Sequence, residues 1–342
     1  MKHYLTIFNN VQDYEDYINS GNVVYPNVSY VINGDSVFYD TGEGSGTIKV
    51  QDIIDLIEGD IVNFEIPAGT QRIGNYSFEG CNSLREVTIP NTVVAIGQGA
   101  FYQCLGLRSI SIPDSVTSIN DNAFYGCTNL ANVSIGAGLT TINTSIFDKC
   151  DALTNITISP NNPKYDSRDN CNAIVETATN TLLLGNIHTT IPNTITKIGD
   201  SAFAGQSISY IKPGVGLQIP NSVRVIGKEA FRSCVRINEV ELPEGVTTIQ
   251  ESAFQMGSIG VCYMTRLTLP STVTSIGKYA FRYNKSLKSI TIKAVNPPTL
   301  GTTPFDNTGS CNIYVPASSV DAYKAASGWS SLASRIQAIP TT

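Results

Sequence analysis

A 23-residue repeat constrains this chain more than any other feature of its sequence. Four phenylalanines and four cysteines recur at that interval, namely Phe78, Phe101, Phe124 and Phe147, and Cys81, Cys104, Cys127 and Cys150. A repeat of this length is too short to bury its own apolar residues, so neighbouring repeats must stack and share a continuous core. The periodicity therefore predicts a repeat solenoid.

Every repeat has the same internal order, which is fullest in Ile89-Pro90, Val93, Ile96-Gly97, Ala100-Phe101, Cys104, Leu107 and Ile110. The residues before each proline alternate in polarity, which is typical of a short strand with one face buried. Val87 and Ile89 are expected to point inward, and Glu86 and Thr88 outward. Proline ends the strand because it lacks the amide donor that a ladder needs.

Eight repeats are recognisable between residues 64 and 292, and residues 158–190 interrupt them as an insertion. The consensus Ile-Pro-x-x-Val-x-x-Ile-Gly-x-x-Ala-Phe-x-x-Cys-x-x-Leu-x-x-Ile resembles the leucine-rich repeat of BspA-like surface proteins. The resemblance implies a right-handed solenoid with short strands that serves adhesion or recognition, without catalysis or a cofactor. Six residues depart from the consensus: Gln206, Gly257 and Asn284 replace the cysteine, and Asn120, Asn143 and Gln250 replace the glycine.

The residues after the array, 293–342, are predicted to form a C-terminal helical cap that covers the last coil. Cys311 to Pro316 is typical of a final strand. A helix is expected from Val320 to about Ser327, with Ser318 or Ser319 as its N-cap. Trp329 is interpreted mainly as a structural plug, with ligand stacking as the alternative.

Residues 1–63 do not repeat and are predicted to form an acidic docking or capping segment. Residues 1–65 contain eleven acidic residues and only two basic ones, Lys2 and Lys49, so their net charge is −9. The remaining 277 residues have a net charge of +3. Two strands, 24–31 and 35–39, are expected around the turn at Asn33-Gly34. Residues 41–46 are expected to be a glycine-rich joint, and residues 53–57 a helical turn before the array.

The segment Tyr25-Pro26-Asn27-Val28 together with Tyr30 is similar to N-terminal segments of phage structural proteins, which makes these five residues candidates for docking. The N-terminus shows none of the parts of a secretory signal. We therefore expect either a virion-associated protein or a bacterial surface protein whose leader has been removed.

The residues offer little for catalysis or metal binding. No Cys-x-x-Cys pair occurs and the chain has two histidines, His3 and His188, so zinc and Ser-His-Asp sites are not expected. Asp166 and Asp169 do not have the spacing of a calcium loop and are interpreted as part of a solvated loop. The recurrent cysteines are expected to be buried free thiols in an inward-facing ladder. Asn284, at the same position, fits such a ladder.

Composition narrows the range of partners. A net charge of −6 argues against nucleic acid, and no apolar run is long enough to span a membrane. Only 15% of the residues are charged, against about 25% in an average protein, and serine, threonine and asparagine fill outward positions.

The candidate contact surface for a protein or glycan ligand follows these outward positions, with two tyrosines as aromatic anchors. Its residues are Thr88, Tyr102, Ser109, Ser111, Tyr125, Asn132, Ser134, Asn155 and Thr157. Two alternatives are that the hydroxyls merely suit exposed strands and that the tyrosines are half-buried spacers. A second outward column, including Thr117, Thr140, Thr247 and Thr274, has the same hydroxyl-rich character.

The leading functional hypothesis is a non-catalytic recognition or adhesion module. The alternative is a structural or decoration component of a phage particle that docks through residues 1–63.

Overall fold

The computed structural model describes residues 62–340 apart from 67, 144 and 259–261, together with the backbone of four strands nearer the N-terminus. The chain divides into two compact halves: an N-terminal half, Met1–Asp166, and a C-terminal half, Ser167–Thr342. Both halves contain solenoid coils, which confirms the predicted fold class.

The four N-terminal strands form one sheet, Thr6–Phe8, Tyr30–Ile32, Ser36–Tyr39 and Gly46–Ile48. Tyr30–Ile32 pairs antiparallel with Ser36–Tyr39, which confirms the predicted hairpin. Two strands were not expected: Thr6–Phe8, which is parallel to Tyr30–Ile32, and Gly46–Ile48. The predicted helical turn at 53–57 and residues 41–45 of the joint lie outside the described residues.

Each coil of the N-terminal half contributes one longer strand and one two-residue strand. The longer strand ends one or two residues before the proline position. The two-residue strand ends directly before the Gly or Asn position. The longer strands are Asn63–Glu65, Glu86–Thr88, Ser109–Ile112, Asn132–Ile135 and Asn155–Ile158. The short strands are Arg72–Ile73, Ala95–Ile96, Ser118–Ile119 and Thr141–Ile142, and Tyr165–Asp166 follows them. Strands of successive coils pair in parallel, 23 residues apart, as in Ile110 with Val133 and Val133 with Ile156. The longer strands form two sheets, because Glu86–Thr88 pairs with Asn63–Glu65 and not with Ser109–Ile112.

The C-terminal half repeats this plan. Its short strands are Lys197–Ile198, Val225–Ile226, Thr248–Ile249, Ser275–Ile276 and Thr299–Leu300. Its longer strands are Tyr210–Lys212, Glu239–Glu241, Arg266–Leu269, Ser289–Ile292, Asn312–Val315 and Ile336–Ala338, and Val215–Gly216 folds back on the first.

The last part of the insertion pairs with the stacked strands of the repeats. After the 3-10 helix Arg168–Asn170, the strand Ile174–Glu176 pairs antiparallel with Thr181–Leu184. Thr181–Leu184 then pairs in parallel with Lys197–Ile198 and so occupies the place of a short strand. Part of the segment that interrupts the repeat in sequence therefore continues it in structure.

Stacked phenylalanines run through each core. The ring centroids of Phe101 and Phe124 lie 5.2 Å apart with planes at 2°, and those of Phe254 and Phe281 lie 5.3 Å apart. Phe305 continues the column of the C-terminal half, with its centroid 5.6 Å from that of Phe281. The inward and outward assignments are confirmed, since Val87 and Ile89 are buried while Glu86 and Thr88 are exposed.

The recurrent cysteines form the expected ladder. All eight cysteines of the chain are free and buried. The Sγ of Cys127 donates to the Phe101 carbonyl at 3.1 Å, and Cys234 donates to the Phe203 carbonyl at 3.0 Å. Asn284 replaces the thiol with an amide and donates to the Phe254 carbonyl at 2.8 Å. A small buried donor thus bonds the preceding coil at these positions, by a thiol or by an amide.

The C-terminal cap consists of the 3-10 helices Ala317–Ser319 and Ser330–Arg335 around the α-helix Val320–Ala325. Trp329 is fully buried and its Nε1 donates to the Pro298 carbonyl at 2.8 Å, so it is the predicted plug. The predicted N-cap hydrogen bond of Ser319 is wrong. Ser319 occupies the N-cap position, but its hydroxyl makes no capping bond and is buried without a partner among the described residues. The helix is also two residues shorter than expected.

Candidate binding surface

The longer strands of the N-terminal half align their outward side chains in two columns. Parallel pairing places Ser109, Asn132 and Asn155 in one column, and Ser111, Ser134 and Thr157 in the other. Thr88 lies outward on the preceding strand, Glu86–Thr88. The seven strand positions predicted from the sequence thus lie on a single face. From Ser109 to Thr157 these outward positions are uncharged.

Hydrogen bonds between coils use part of this polar surface. Ser134 Oγ donates to Ser111 Oγ at 3.0 Å, and Asn155 Nδ2 donates to Asn132 Oδ1 at 3.4 Å. The Ser111 hydroxyl proton, the Asn132 amide group and Asn155 Oδ1 have no hydrogen bond within the part of the chain that the structure describes. The face therefore offers both donors and acceptors in a fixed order.

An open groove of about 680 Å³ runs along the second column. Thr88, Ser111, Ser134 and Thr157 lie along it, while Ser109, Asn132 and Asn155 lie outside its lining. Residues after the strands supply the rest of the wall, among them Asn91, Pro113, Asp114 and Pro160. Sequence reasoning missed these wall residues because the recurrent proline was interpreted only as a strand terminator. Its recurrence in most coils, with Gly136 as an exception, was the available signal.

Asp114 is the acidic side chain among the groove's lining residues. Its Oδ1 accepts a hydrogen bond of 2.6 Å from the Ala137 backbone amide. The carboxylate is thereby fixed against the next coil, which makes it a rigid part of the wall.

The two predicted tyrosines do not line this groove. Tyr102 and Tyr125 follow the buried phenylalanines and are half-buried, with their rings stacked at 4.9 Å and 6°. Tyr76, which sequence reasoning did not select, packs edge-on against Tyr102 at 6.4 Å and is 41% exposed. Since Tyr102 and Tyr125 cover each other's ring faces, the row is a separate feature from the strand face.

The second threonine column links coils to one another. Thr117 Oγ1 donates to the Val94 carbonyl at 3.1 Å and Thr140 Oγ1 donates to the Thr117 carbonyl at 3.3 Å. In the C-terminal half, Thr274 Oγ1 donates to the Thr247 carbonyl at 3.2 Å. Because these hydroxyl protons already satisfy backbone carbonyls, this column serves the stacking of coils.

The outward face of the first longer strands of the C-terminal half, from Tyr210–Lys212 to Arg266–Leu269, is different in character, because it is charged and self-paired. Glu239 accepts from Lys212 and lies 3.4 Å from Arg266 Nη1, and Lys293 Nζ lies 3.3 Å from Glu241 Oε1. Interactions with these cations, the Lys212 hydrogen bond above all, hold the pKa of Glu239 below its usual value. Uncharged outward columns therefore run from Ser109 to Thr157 in the N-terminal half and recur at Ser289 and Thr291 in the C-terminal half.

The proposed N-terminal docking residues can be placed only in part. Tyr30 belongs to the strand Tyr30–Ile32. Tyr25, Pro26, Asn27 and Val28 lie outside the described residues.

The described residues contain no group of three or more His, Cys, Asp or Glu side chains placed to hold a metal ion. No helix within the described part of the chain has the length and apolar character needed to cross a membrane.

Comparison with known proteins gives the following matches. A family model described as "BspA type Leucine rich repeat region (6 copies)" matches residues 58–174, 180–259 and 215–327. The structure of the pneumococcal vaccine antigen PcpA is similar with a TM-score of 0.53, at 18% identity, and the match covers 81% of this chain and 77% of PcpA. That likeness shows a shared fold.

Two further solved structures are related at lower TM-scores. A leucine-rich repeat protein from Eubacterium ventriosum has 21% identity and a TM-score of 0.45, with 75% of this chain and 66% of that chain covered. A leucine rich cell surface protein from Faecalibacterium prausnitzii has 21% identity and a TM-score of 0.45, with 84% and 94% covered. No curated protein matches the sequence.

Proposed function

The chain belongs to the BspA-type leucine-rich repeat family, and from this premise we propose that it is a non-catalytic recognition module whose N-terminal strand face binds an extended protein or glycan partner. The family and the fold support a repeat module for binding or adhesion. The finer assignment, to the face formed by Thr88, Ser109, Ser111, Asn132, Ser134, Asn155 and Thr157, is our proposal.

The observation that carries it is the uncharged, in-register polar face beside the groove. Unpaired donors and acceptors at Ser111, Asn132 and Asn155 offer directional hydrogen bonds. The rigid stacking of coils fixes their spacing before a partner arrives, which lowers the entropic cost of binding. The first longer strands of the C-terminal half carry their own ion pairs, so that part of the face offers less to a neutral partner.

Tyr102 and Tyr125 have a smaller part in this proposal. Their stacking covers one face of each ring, so a partner that reaches them meets a smaller aromatic area than two separate rings would offer. We assign them to a neighbouring contact area that an extended partner reaches only from outside the groove.

Three further proposals concern the roles of the segments of the chain and the location of the protein. We propose that residues 64–292 project as the recognition array, that residues 293–342 close it, and that residues 1–63 dock the chain to a cell surface. The relatives described above are bacterial leucine-rich repeat proteins, which gives the phage alternative no support.

The test is a blocking substitution in the groove of the full chain. Ser134→Arg places a long cation at an exposed position in the middle of the lining. Binding to a panel of immobilised matrix proteins and mucin glycans should fall at least about tenfold for whichever probes the unaltered chain binds. Surface plasmon resonance measures it.

The matched control is Thr291→Arg, at the equivalent register position of the C-terminal half. It should leave binding unchanged, and both variants should melt with the unaltered chain. Unchanged binding by Ser134→Arg, or equal loss in both variants, would place the contact elsewhere.

A further inference from the structure

An arginine of the C-terminal half is held between two tyrosines at the surface. The guanidinium carbon of Arg282 lies 4.6 Å from the centroid of the Tyr279 ring and 4.5 Å from that of Tyr283. Both tyrosines have a left-handed backbone, with φ of 57° and 66°, and the Arg282 amide donates to the Tyr279 carbonyl at 3.0 Å. This tight turn brings both rings against the guanidinium group of the arginine.

Asp306 of the next coil holds the same arginine in place. Arg282 Nε donates to Asp306 Oδ2 at 2.9 Å, and the Tyr283 amide donates to the Asp306 carbonyl at 3.0 Å. Within the described residues, the two terminal guanidinium nitrogens of Arg282 have no hydrogen-bond acceptor. Since its side chain is 27% exposed, the outer edge of the fork is ordered, charged and open to a ligand.

Two lysines flank the fork. Lys278 Nζ lies 4.7 Å from the Tyr279 ring centroid and 4.0 Å from Glu251 Oε1. Lys285 Nζ lies 5.9 Å from the Tyr283 ring centroid and donates to the Ser258 carbonyl at 2.9 Å. Both side chains are exposed, so the cations line up around one short turn.

The charge of the surrounding half favours an anion. Residues 167–342 contain 15 lysines and arginines against 10 acids, a net charge of +5, although the whole chain is at −6. Close to Arg282, however, Glu251 and Asp306 offset two of the three cations. The local field is therefore positive but weak, which suits a polymer whose negative charges are far apart.

We propose that the Arg282 patch, formed by Lys278, Tyr279, Arg282, Tyr283 and Lys285, binds the carboxylates of an acidic polysaccharide. The open fork of Arg282 takes a carboxylate through two parallel hydrogen bonds. The hydroxyls of Tyr279 and Tyr283, which have no hydrogen bond in the part of the chain described, can exchange hydrogen bonds with sugar hydroxyls. This site is on a different half of the chain from the groove and does not depend on it.

Charge density decides between classes of polyanion. Nucleic acid and polyglutamate carry a charge at every unit, and strong binding would need several uncompensated cations in a row. A uronic acid polymer with one carboxylate for each pair of sugars needs one strong anion site and neutral hydrogen bonding beside it. The patch offers that combination.

The experiment measures binding of the full chain to hyaluronan oligosaccharides by isothermal titration calorimetry. The unaltered chain should bind them, and should bind neither dextran of the same length nor polyglutamate at low salt. Arg282→Gln should weaken binding about tenfold, the loss of one charge-assisted bidentate contact. Arg282→Lys should also weaken binding, because it keeps the charge and loses the fork.

The control is Arg266→Gln, which removes the same charge from a side chain that is 71% exposed on the strand face. It should bind like the unaltered chain. Equal weakening in both glutamine variants, or no change with Arg282→Gln, overturns the proposal. Binding of polyglutamate as tightly as hyaluronan overturns the polysaccharide assignment in favour of an acidic peptide.

Discussion

One buried hydrogen bond repeats at the cysteine position and sets the chemistry allowed there. Four thiols, those of Cys104, Cys127, Cys150 and Cys234, donate to the phenylalanine carbonyl of the previous coil, as Cys104 does to Phe78 at 2.8 Å. Burial raises the pKa of the Cys81 thiol to about 12 and likewise raises the pKa of Cys150, which donates to the Phe124 carbonyl, so both thiols stay protonated at neutral pH. A protonated thiol is the form that can donate, and it is also the unreactive form. The ladder is therefore structural.

Asp148 is the residue whose ionisation bears most on stability. It follows Phe147 directly, and burial raises the pKa of its carboxyl to about 7, although Lys149 opposes the shift. The folded state thus binds more protons than the unfolded state between about pH 4 and pH 7. Stability is then lost as the pH rises through this window, because the folded protein must accommodate a half-buried charge.

We expect Asp148→Asn to stabilise the chain at pH 8 by about 1–2 kcal/mol, after allowance for solvent screening. At pH 4 the two proteins should agree within about 0.5 kcal/mol, since the carboxyl is then protonated in the folded state and about half protonated in the unfolded state. Urea denaturation at both pH values measures the difference. The exposed neighbour gives the control, since Asp151→Asn should show no such pH dependence. A difference of the same size at pH 4 and pH 8 would exclude the titration of Asp148 as its cause.

At the scale of elements, the last coil depends on its cap. The Phe305 ring lies 6.0 Å from that of Trp329, which in turn packs edge-on against Tyr323 at 4.9 Å. The Tyr323 hydroxyl donates to the Ala294 carbonyl at 2.8 Å. Two aromatic residues of the cap therefore both cover the core and satisfy backbone carbonyls of the chain before it.

Replacing Trp329 by Ala should destabilise the chain by about 3–5 kcal/mol, through lost burial and the cavity left over Phe305. Trp329→Phe should cost about 1–3 kcal/mol, because it mainly removes the donor to the Pro298 carbonyl. Circular dichroism in urea measures both.

Tyr263→Ala is the matched control, since this aromatic side chain is 54% exposed and should contribute less than about 0.5 kcal/mol. If Trp329→Ala proved as mild as Tyr263→Ala, the C-terminal segment would not be a cap.

Features that repeat could be predicted from sequence, and features that occur once could not. The strand columns, the phenylalanine core and the cysteine ladder follow from a 23-residue period, because each position is confirmed by its equivalents in other coils. The Arg282 patch was not foreseen, since it depends on left-handed conformations at Tyr279 and Tyr283 and on Asp306 in the next coil. The missing capping hydrogen bond at Ser319 was not predicted, because residue type alone does not determine where a hydroxyl points.

At the scale of the whole molecule, charge and repetition divide the chain at different places. The acidic excess lies in residues 1–65, whereas the first strand of the array, Asn63–Glu65, already pairs in parallel with Glu86–Thr88. Phe64 is buried and its ring packs edge-on against Phe78 at 5.4 Å. A cut between the acidic segment and the array should therefore precede residue 62, so that the first strand stays whole.

The last prediction is that residues 62–342 fold without the preceding segment. Coils interact with their neighbours, so removing what precedes the first coil should leave the later coils paired. The shortened chain should unfold cooperatively in urea and keep the ligand binding of the full chain, while it no longer joins the cell surface. Flow cytometry of cells incubated with each purified protein measures attachment, and the groove variant Ser134→Arg in the full chain serves as the control that attaches without binding ligand. Unfolding of the shortened chain would make residues 1–61 an N-terminal cap. Folding with attachment retained would place docking in the array, and the proposed division of labour would be wrong.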